Sequence, residues 1–478
     1  MAKKMKHRMK KTKIICTLGP ATNSVEKLVE LVELGMSVAR LNFSHGSYEE
    51  HAKTIKNIRK ASEIVNWNIP FFVDLCGPKI RCGEMKAPFV LENGDKTTIT
   101  TEDCLGTKKR FSTIYRQLHN DLKKDDVVLI NDGTIELKVL EIKGKDINCV
   151  VVAGGELSSR KGINLPFVDV STKALTDKDK QDALFGIKHG CAYLALSFVR
   201  RATDVLELKE FLKEYNFATP IIAKIEKPSA VDEIDAIIEA SDAIMIARGD
   251  LGVELPTEVV PKIQKMIIEK CIYNNVPVIT ATQMLESMIH TSIPTRAEAS
   301  DVANAVLDGT DCVMLSAETS VGKYPKKAVQ IMSRIIQTYE DHIHLKTREH
   351  KVMEDDNTKL TDDIVSAAST LAQATGATAI VSVTKSGRTA KMYSRYRSSV
   401  PFVAFSEDEF ALRTLSLYWG VLYNRIDQVG ETDRTLDRAT ALAKESGFVK
   451  TGDTIIFIAG VPMLERKAIN MIKVDRVF

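Results

Sequence analysis

Lys224, Glu226 and Asp250 are ionisable residues placed where two apolar runs end. Lys224 and Glu226 close the run Pro220-Ile221-Ile222-Ala223. Asp250 follows Ala243-Ile244-Met245-Ile246-Ala247, inside Arg248-Gly249-Asp250-Leu251-Gly252. Residues two apart in a strand share a face, so a strand here points Lys224 and Glu226 the same way. Two carboxylates from neighbouring strand ends can hold a divalent cation. An ammonium beside them suits a multiply charged substrate such as a phosphate ester. Standing alone, a Lys-x-Glu sequence reads more often as a salt bridge at a strand end. The elements around it decide between the two.

Eight short apolar runs between residues 13 and 318 end in polar residues. They are Ile14–Cys16 ending at Thr17, Val38–Leu41 ending at Asn42 and Ser44, and Pro70–Val73 ending at Asp74. Ala192–Leu196 follows, ending at Ser197, then the two runs above. Val276–Ile279 ends at Thr280 and Thr282, and Cys312–Leu315 ends at Ser316 and Glu318. Between them, Val25–Leu34, Lys262–Ile272 and Ala297–Val306 carry helical periodicity. Buried strands alternating with helices predict a parallel sheet, and eight units predict a closed (β/α)8 barrel. Such a barrel gathers its chemistry at the C-terminal strand ends, where every polar residue just named falls.

One connection is too long for a barrel loop. From Gly77 to about Ser171 the pattern alternates in short runs: Lys96–Thr100, Asp126–Ile130, Thr134–Ile142 and Ile147–Val152. Asn93-Gly94-Asp95, Asn131-Asp132-Gly133 and Gly154-Gly155 punctuate them as turns. This predicts an inserted small β-barrel lid domain over the barrel mouth, since long insertions are usually functional or disordered. Lys346 to Asp363 reads as a charged linker. Beyond it, Ala377–Thr384, Pro401–Phe405, Val421–Tyr423 and Thr454–Ala459 alternate with helical stretches, the pattern of a doubly wound α/β domain. The expected division is a catalytic barrel over 1–77 and 172–345, a lid over 78–171 and a C-terminal α/β domain over 346–478.

Composition narrows the class. Of 478 residues, 44% are hydrophobic and 27% charged, with 66 basic and 63 acidic residues for a net charge of +3. That balance argues against a dedicated nucleic-acid binder. No apolar stretch approaches a membrane span. The lysine-rich Met1 to Lys13 lacks the apolar core of a signal peptide and reads as a solvated basic tail. The 8 cysteines show neither Cys-x-x-Cys nor zinc spacing. Cys16, Cys191 and Cys312 read as small buried hydrophobes, which predicts a reduced, cytoplasmic protein.

The strand-end set holds Arg40 and Lys224, the acids Asp74, Glu226 and Asp250, and the hydroxyls of Ser44, Thr282 and Ser316. It contains no histidine or cysteine nucleophile with a partnering base, which weakens acyl transfer. Phosphoryl transfer needs positioning and charge neutralisation, which this set supplies. No Walker or kinase-type glycine loop is present, so nucleotide phosphates have to be held by metal and side chains.

Over almost its whole length the chain resembles pyruvate kinases. The resemblance rests on Cys16-Thr17-Leu18-Gly19-Pro20-Ala21, Ala39-Arg40-Leu41-Asn42-Phe43-Ser44-His45-Gly46, Gly77-Pro78-Lys79-Ile80-Arg81 and Lys224-Ile225-Glu226-Lys227. It continues through Ala247 to Glu254, Ala281-Thr282-Gln283-Met284-Leu285-Glu286-Ser287-Met288, Pro294 to Glu298 and Met314-Leu315-Ser316-Ala317-Glu318-Thr319. It implies phosphoryl transfer from phosphoenolpyruvate to ADP, giving pyruvate and ATP, the last step of glycolysis, in a cytoplasmic homotetramer. By the same resemblance Glu226 and Asp250 hold Mg²⁺, with Mn²⁺ as an alternative ion. Lys224 neutralises the phosphoryl in flight, and Arg40 grips the substrate phosphate. The backbone of Gly249 and Asp250, with Thr282, receives the carboxylate. Thr282 lies near the carbon to be protonated, and Arg81 and Lys161 reach the nucleotide phosphates. His45 reads as a structural hydrogen-bonder, Glu286 and Ser287 as supports of the site or of a subunit contact, and Met284 with Met288 as packing.

The chain departs from the family in two places. Many members read Asp-Thr-Lys-Gly-Pro-Glu after the third strand, and the acid completes a K⁺ site. Here the segment is Asp74-Leu75-Cys76-Gly77-Pro78-Lys79, like the branch that dispenses with the ion. A tethered ammonium can stand in for a monovalent cation, so Lys79 is expected to replace K⁺ beside Asn42, Ser44 and Asp74. Cys76 in this segment carries no sign of a reactive thiol. In the last domain, Thr384-Lys385-Ser386-Gly387-Arg388-Thr389 follows a strand and opens a helix, a phosphate cradle that the family uses for effectors. Where many members have a glycine-rich loop, this chain has Gly460-Val461-Pro462-Met463-Leu464-Glu465-Arg466-Lys467. Glu465 there disfavours a second phosphate, so a sugar monophosphate or nucleotide effector, or none, is expected rather than fructose bisphosphate. Two rivals stand beside this reading: an aldolase acting through a Mg²⁺ enolate, which needs no lid, and a catalytically silent effector-binding protein, which needs none of Lys224, Glu226, Asp250 or Thr282.

Overall fold

The computed structural model describes residues 10–166, 168, 170–340, 356–427, 429–463 and 468–478, with the backbone alone at 356 and 357. The tail before Lys10, the linker residues 346–355 and Glu465 with its neighbours 464–467 lie outside the described residues.

Eight parallel strands close into a barrel: Lys13–Thr17, Val38–Asn42, Phe71–Asp74, Tyr193–Val199, Ile221–Ile225, Ala243–Ala247, Val278–Ala281 and Cys312–Leu315. The eighth pairs back to the first, with Lys13 opposite Cys312. Successive side chains alternate between the two faces. Ile14, Cys16, Phe71, Val73 and Ile221 pack outward against the helices. Ile15, Phe72, Ile222, Met245 and Met314 fill the interior. Lys224, two residues after Ile222, therefore points at the barrel axis.

The helices form from legible local signals. Val25–Leu34 is capped by Ser24, whose side chain accepts from Lys27 N–H. Arg296–Asp308 begins with a capping box between Thr295 and Glu298 and ends at Gly309 in the left-handed region. The insertion is a six-stranded sheet and a two-stranded ribbon, Phe89–Leu91 with Gly155–Leu157, joined by one core that contains Leu91, Ile99, Ile135 and Leu157.

The C-terminal sheet runs Val421–Arg425, Phe402–Ser406, Ala379–Val383, Thr454–Ala459, Met471–Arg476, the last strand antiparallel. Helices cover both faces. Val365 and Tyr393 pack on one side, Leu436 and Ala439 on the other. Helix Asp356–Thr375 starts inside the segment read as a linker. Its described first turns are half-exposed and charged, which masks the periodicity, while Val365, Ala368 and Ala372 are buried against the sheet.

The joint between barrel and C-terminal domain is tight. Leu417 plugs the interior cluster at the barrel's far end, and Tyr193 Oη donates to Thr414 O at 2.5 Å. Arg397 donates two bonds to Asp311, at 2.7 and 2.8 Å, with both residues buried.

Candidate active site

Each site residue stands at the C-terminal mouth because its strand ends there. Lys224 is 9% exposed, Glu226 2% and Asp74 1%. Lys224 Nζ lies 2.9 Å from Glu226 Oε1 and 3.2 Å from Asp74 Oδ1, and donates to Ser197 Oγ at 2.7 Å. Arg40 Nε meets Asp74 Oδ2 at 2.7 Å, and its Nη1 donates to Thr17 Oγ1 at 2.9 Å. Glu226 Oε2 accepts from Phe198 N–H at 2.8 Å. Phe198 has a left-handed φ of 57°; that turn aims its N–H at Glu226, and strained backbone concentrates at functional sites.

The electrostatics follow from burial. Burial alone pushes the Lys224 ammonium down, but Asp74 and Glu226 outweigh it and hold it well above the usual lysine range. Burial pushes Asp74 up, yet Lys224 and Arg40 bring it below the usual carboxylate range. Glu226 is raised, by burial first and by the charge of Asp250, against the pull of Lys224. A buried carboxyl raised by a second carboxylate is a place where a cation relieves repulsion. Among the described residues no group of three or more His, Cys, Asp or Glu could hold a metal. Two carboxylates that share a Mg²⁺ leave its remaining positions to substrate phosphate and water.

Thr282 (φ 66°) and Gln283 (φ 56°) both lie in the left-handed region. Thr282 Oγ1 accepts from Gly249 N–H at 2.7 Å and donates to Ala281 O at 2.6 Å. Arg248 pins this turn by donating to Ala281 O and Thr282 O at 3.3 and 2.8 Å, and it pairs with Asp301 at 2.7 Å. Helix Arg248–Glu254 carries Asp250 in its first turn.

The two crossings into the insertion pair with each other. Arg81 bridges Gly162, and Cys82 N–H donates to Lys161 O at 2.8 Å, so the two crossings run antiparallel and hold each other through their backbones. Lys79 and Asp250 line one cleft with Asp132 and Asn164 of the insertion and Phe198 and Lys227 of the barrel. Asn164 also donates to Glu254 at 3.2 Å, and Lys227 pairs with the same carboxylate. The insertion therefore sits on the barrel mouth.

Asn42 and Ser44 form a local turn, with Asn42 Oδ1 accepting from Ser44 N–H at 3.1 Å. His45 is exposed, and its carbonyl meets His51 Nε2 at 2.9 Å. Ser287 bonds Glu298 through its N–H and hydroxyl, at 2.7 and 2.5 Å. Met284 and Met288 are fully buried. Burial pushes the Cys191 thiol up to about 12, and raises Cys16 and Cys312 further. In the last domain, Thr384, Lys385, Ser386, Arg388 and Thr389 line a cavity opposite Glu407 and Asp408. Gly387 (φ 76°) makes the turn, its N–H donating to Thr384 Oγ1 at 3.1 Å.

Sequence reasoning passed over three contributors. Ser197 was marked as a strand end, yet its bond to Lys224 depends on barrel closure. Arg248 and the Phe198 N–H act through backbone geometry that no pattern of residue types displays.

The comparisons agree with this geometry. Residues 9–329 match the family pattern described as pyruvate kinase, barrel domain, and residues 362–475 match pyruvate kinase, alpha/beta domain. A pyruvate kinase of Geobacillus stearothermophilus is 45% identical over 469 residues, covering 97% of this chain and 80% of the relative. One of Bacillus licheniformis is 44% identical over 470 residues, covering 98% and 80%. The crystal structure of a pyruvate kinase from Cryptosporidium parvum superposes with a TM-score of 0.91 at 37% identity, covering 100% of this chain and 98% of that one. A phosphotransferase barrel with a separate sheet domain and a C-terminal α/β domain is what sequence, fold and relatives all describe, and the chain belongs to the pyruvate kinase family.

Proposed function

We propose that this chain moves the phosphoryl group of phosphoenolpyruvate onto ADP, giving pyruvate and ATP, with Arg40, Lys224 and Thr282 as the catalytic side chains. The observation that carries the reading is the buried cluster of Lys224 with Asp74 and Glu226, at 3.2 and 2.9 Å. With Arg40 paired to Asp74 the charges balance, and a balanced cluster at a barrel mouth is built to receive a charge in flight. The Lys224 ammonium stays protonated there and neutralises the phosphoryl and the enolate oxygen as the ester P–O bond breaks. Arg40, oriented by Asp74 and Thr17, grips the phosphate. The backbone of Gly249 and Asp250, with Thr282, receives the carboxylate, and Thr282 positions the water that protonates the enolate carbon. Arg81 and Lys161 hold the ADP phosphates, and closure of the insertion excludes water.

The family generally uses Mg²⁺. Glu226 and Asp250 are the residues that would hold it here, where it supplies charge neutralisation between the two substrates. Lys79 takes the place of K⁺, beside Asn42, Ser44 and Asp74; its place in the cleft with Asp250 supports this. The loop Thr384–Thr389 binds a sugar monophosphate or nucleotide effector. Glu407 and Asp408 across the cavity oppose a second phosphate. The units act as a catalytic barrel (1–77 and 172–345), a lid (78–171) and an effector domain (346–478), in a cytoplasmic homotetramer. Among the described residues no helix is long and apolar enough to cross a membrane.

The test is a coupled assay with phosphoenolpyruvate, ADP and Mg²⁺. Pyruvate and ATP should form in equal amounts, and a chelator should abolish both. Failure to form pyruvate from phosphoenolpyruvate and ADP would reject the reading and leave a metal-enolate lyase in its place.

A further inference from the structure

Helix Asp177–Lys188 begins immediately after the chain returns from the insertion. Its N-cap Thr176 and its third residue, Asp179, form a capping box: Asp179 N–H donates to Thr176 Oγ1 at 3.1 Å. In return, Thr176 N–H and Oγ1 donate to Asp179 Oδ2 at 3.0 and 2.6 Å. A cap needs only that one oxygen. The other, Oδ1, accepts from the N–H of Gly77 at 3.0 Å, a residue 102 positions away where the chain leaves for the insertion. Asp179 is fully buried, so each donor it serves would otherwise lack a partner.

Only a glycine fits this path without displacement. Its φ is 65°, and a Cβ there would meet the Phe198 ring at 2.8 Å. Two residues on stands Lys79, whose N–H donates to Gly77 O at 2.9 Å. Four residues on stands Arg81, bridged to Gly162 beside Lys161. The same helix also grips the loop after the second strand. Lys178 Nζ donates to Phe43 O at 3.0 Å, and Tyr48 Oη to the buried Asp182 at 2.7 Å.

We propose that Asp179 is a positioning residue for phosphoryl transfer: one carboxylate ties both crossings of the insertion, Gly77 outgoing and Thr176 returning, to the barrel. It thereby sets where Arg81 and Lys161 stand over the nucleotide. This rests on the nucleotide role given to Arg81 and Lys161 above.

Asp179→Asn keeps the shape but turns an NH₂ toward either Gly77 N–H or Thr176 N–H, releasing one crossing. The loss of one buried hydrogen bond corresponds to roughly a fivefold to tenfold effect. The expected result is a rise of about that size in KM for ADP, with KM for phosphoenolpyruvate changed less than about twofold. Thr176→Val removes the cap hydroxyl and keeps the Gly77 bond, so it should lower Tm while leaving KM for ADP unchanged. If Asp179→Asn leaves KM for ADP unchanged, or if both variants raise it in step with their loss of Tm, Asp179 is only a cap and the proposal fails. Arg81→Ala in the same assay separates the two layers. A raised KM for ADP in Arg81→Ala alone overturns the pivot, whereas no rise in Arg81→Ala overturns the nucleotide reading beneath it. Amide exchange of the unaltered enzyme covers a variant that does not fold. Gly77 N–H should exchange at least about tenfold more slowly than the amide of an unstructured glycine, and an unprotected rate would overturn the proposal.

Discussion

Asp74 is the hinge of the site's charge balance, and replacing it with asparagine has a sharp consequence. Its carboxylate lies 2.7 Å from Arg40 and 3.2 Å from Lys224. At an effective dielectric of about 20, a pair 3.2 Å apart attracts by about 5 kcal/mol. Desolvation offsets most of this, so what counts is the cost of leaving two buried cations short of a partner, about 3–5 kcal/mol. Glu226 still serves Lys224 and Thr17 still serves Arg40, so the lower end, about 3 kcal/mol, is expected. The site then carries one extra positive charge. A substrate anion should therefore restore part of the lost stability, and KM for phosphoenolpyruvate should not rise. Because Arg40 and Lys224 lose their aim, kcat should fall by roughly two orders of magnitude, about 2.7 kcal/mol. The pH dependence has a definite sign. Asp74 has a folded pKa below its unfolded value, so its stabilisation is present above the unfolded pKa and is lost as pH falls through the folded one. Asp74→Asn should remove that acid-side loss. Urea melts with and without phosphoenolpyruvate, alongside steady-state kinetics, give the readout. A stability loss below about 1 kcal/mol, or a large rise in KM for phosphoenolpyruvate at unchanged kcat, would refute the reasoning.

Two further outcomes follow from the same physics. Asp311 accepts from Arg397 twice, from Trp419 N–H at 3.0 Å and from Val278 N–H at 3.0 Å; Asp311→Asn should destabilise by about 3–5 kcal/mol, and Asp311→Leu with Arg397→Leu should recover only part of it, because the Trp419 and Val278 N–H groups still lose their acceptor. Differential scanning calorimetry checks both. If Lys79 replaces K⁺, initial rates should be equal in buffers with and without K⁺, and Lys79→Glu should create a K⁺ requirement; a tenfold or larger activation of the unaltered enzyme by K⁺ would contradict this.

Much of the barrel is legible in the sequence because its strands are buried on both faces and read as unbroken apolar runs. Val25–Leu34, Lys96–Thr100, Ala243–Ala247, Cys312–Leu315 and Thr454–Ala459 are elements with the bounds read from sequence. Phe89–Leu91, Arg110–Ser112 and Gly155–Leu157 are three residues each, too short for any period to register. Met471–Arg476 is an exposed edge strand whose Lys473, Asp475 and Arg476 hide it, as charged edges do. The start of helix Asp356–Thr375, up to Asp363, reads as linker in the sequence because it is polar. The site divides in the same way. Lys224, Glu226, Asp250 and Arg40 announce themselves by type and position. Ser197, the Phe198 N–H and the Asp179 bond to Gly77 depend on closure of the chain over long separations, which no local pattern carries.

The central claim is that the cluster of Lys224 with Asp74 and Glu226 does chemistry and is not merely a salt bridge. Lys224→Met keeps length and packing while removing the ammonium. Measured by single-turnover transfer from phosphoenolpyruvate to ADP, with circular dichroism to confirm the fold, kcat should fall at least about a thousandfold, or about 4 kcal/mol of transition-state stabilisation. Phosphoenolpyruvate should still bind to the folded variant. A folded Lys224→Met enzyme that turns over within about tenfold of the unaltered one would contradict the account.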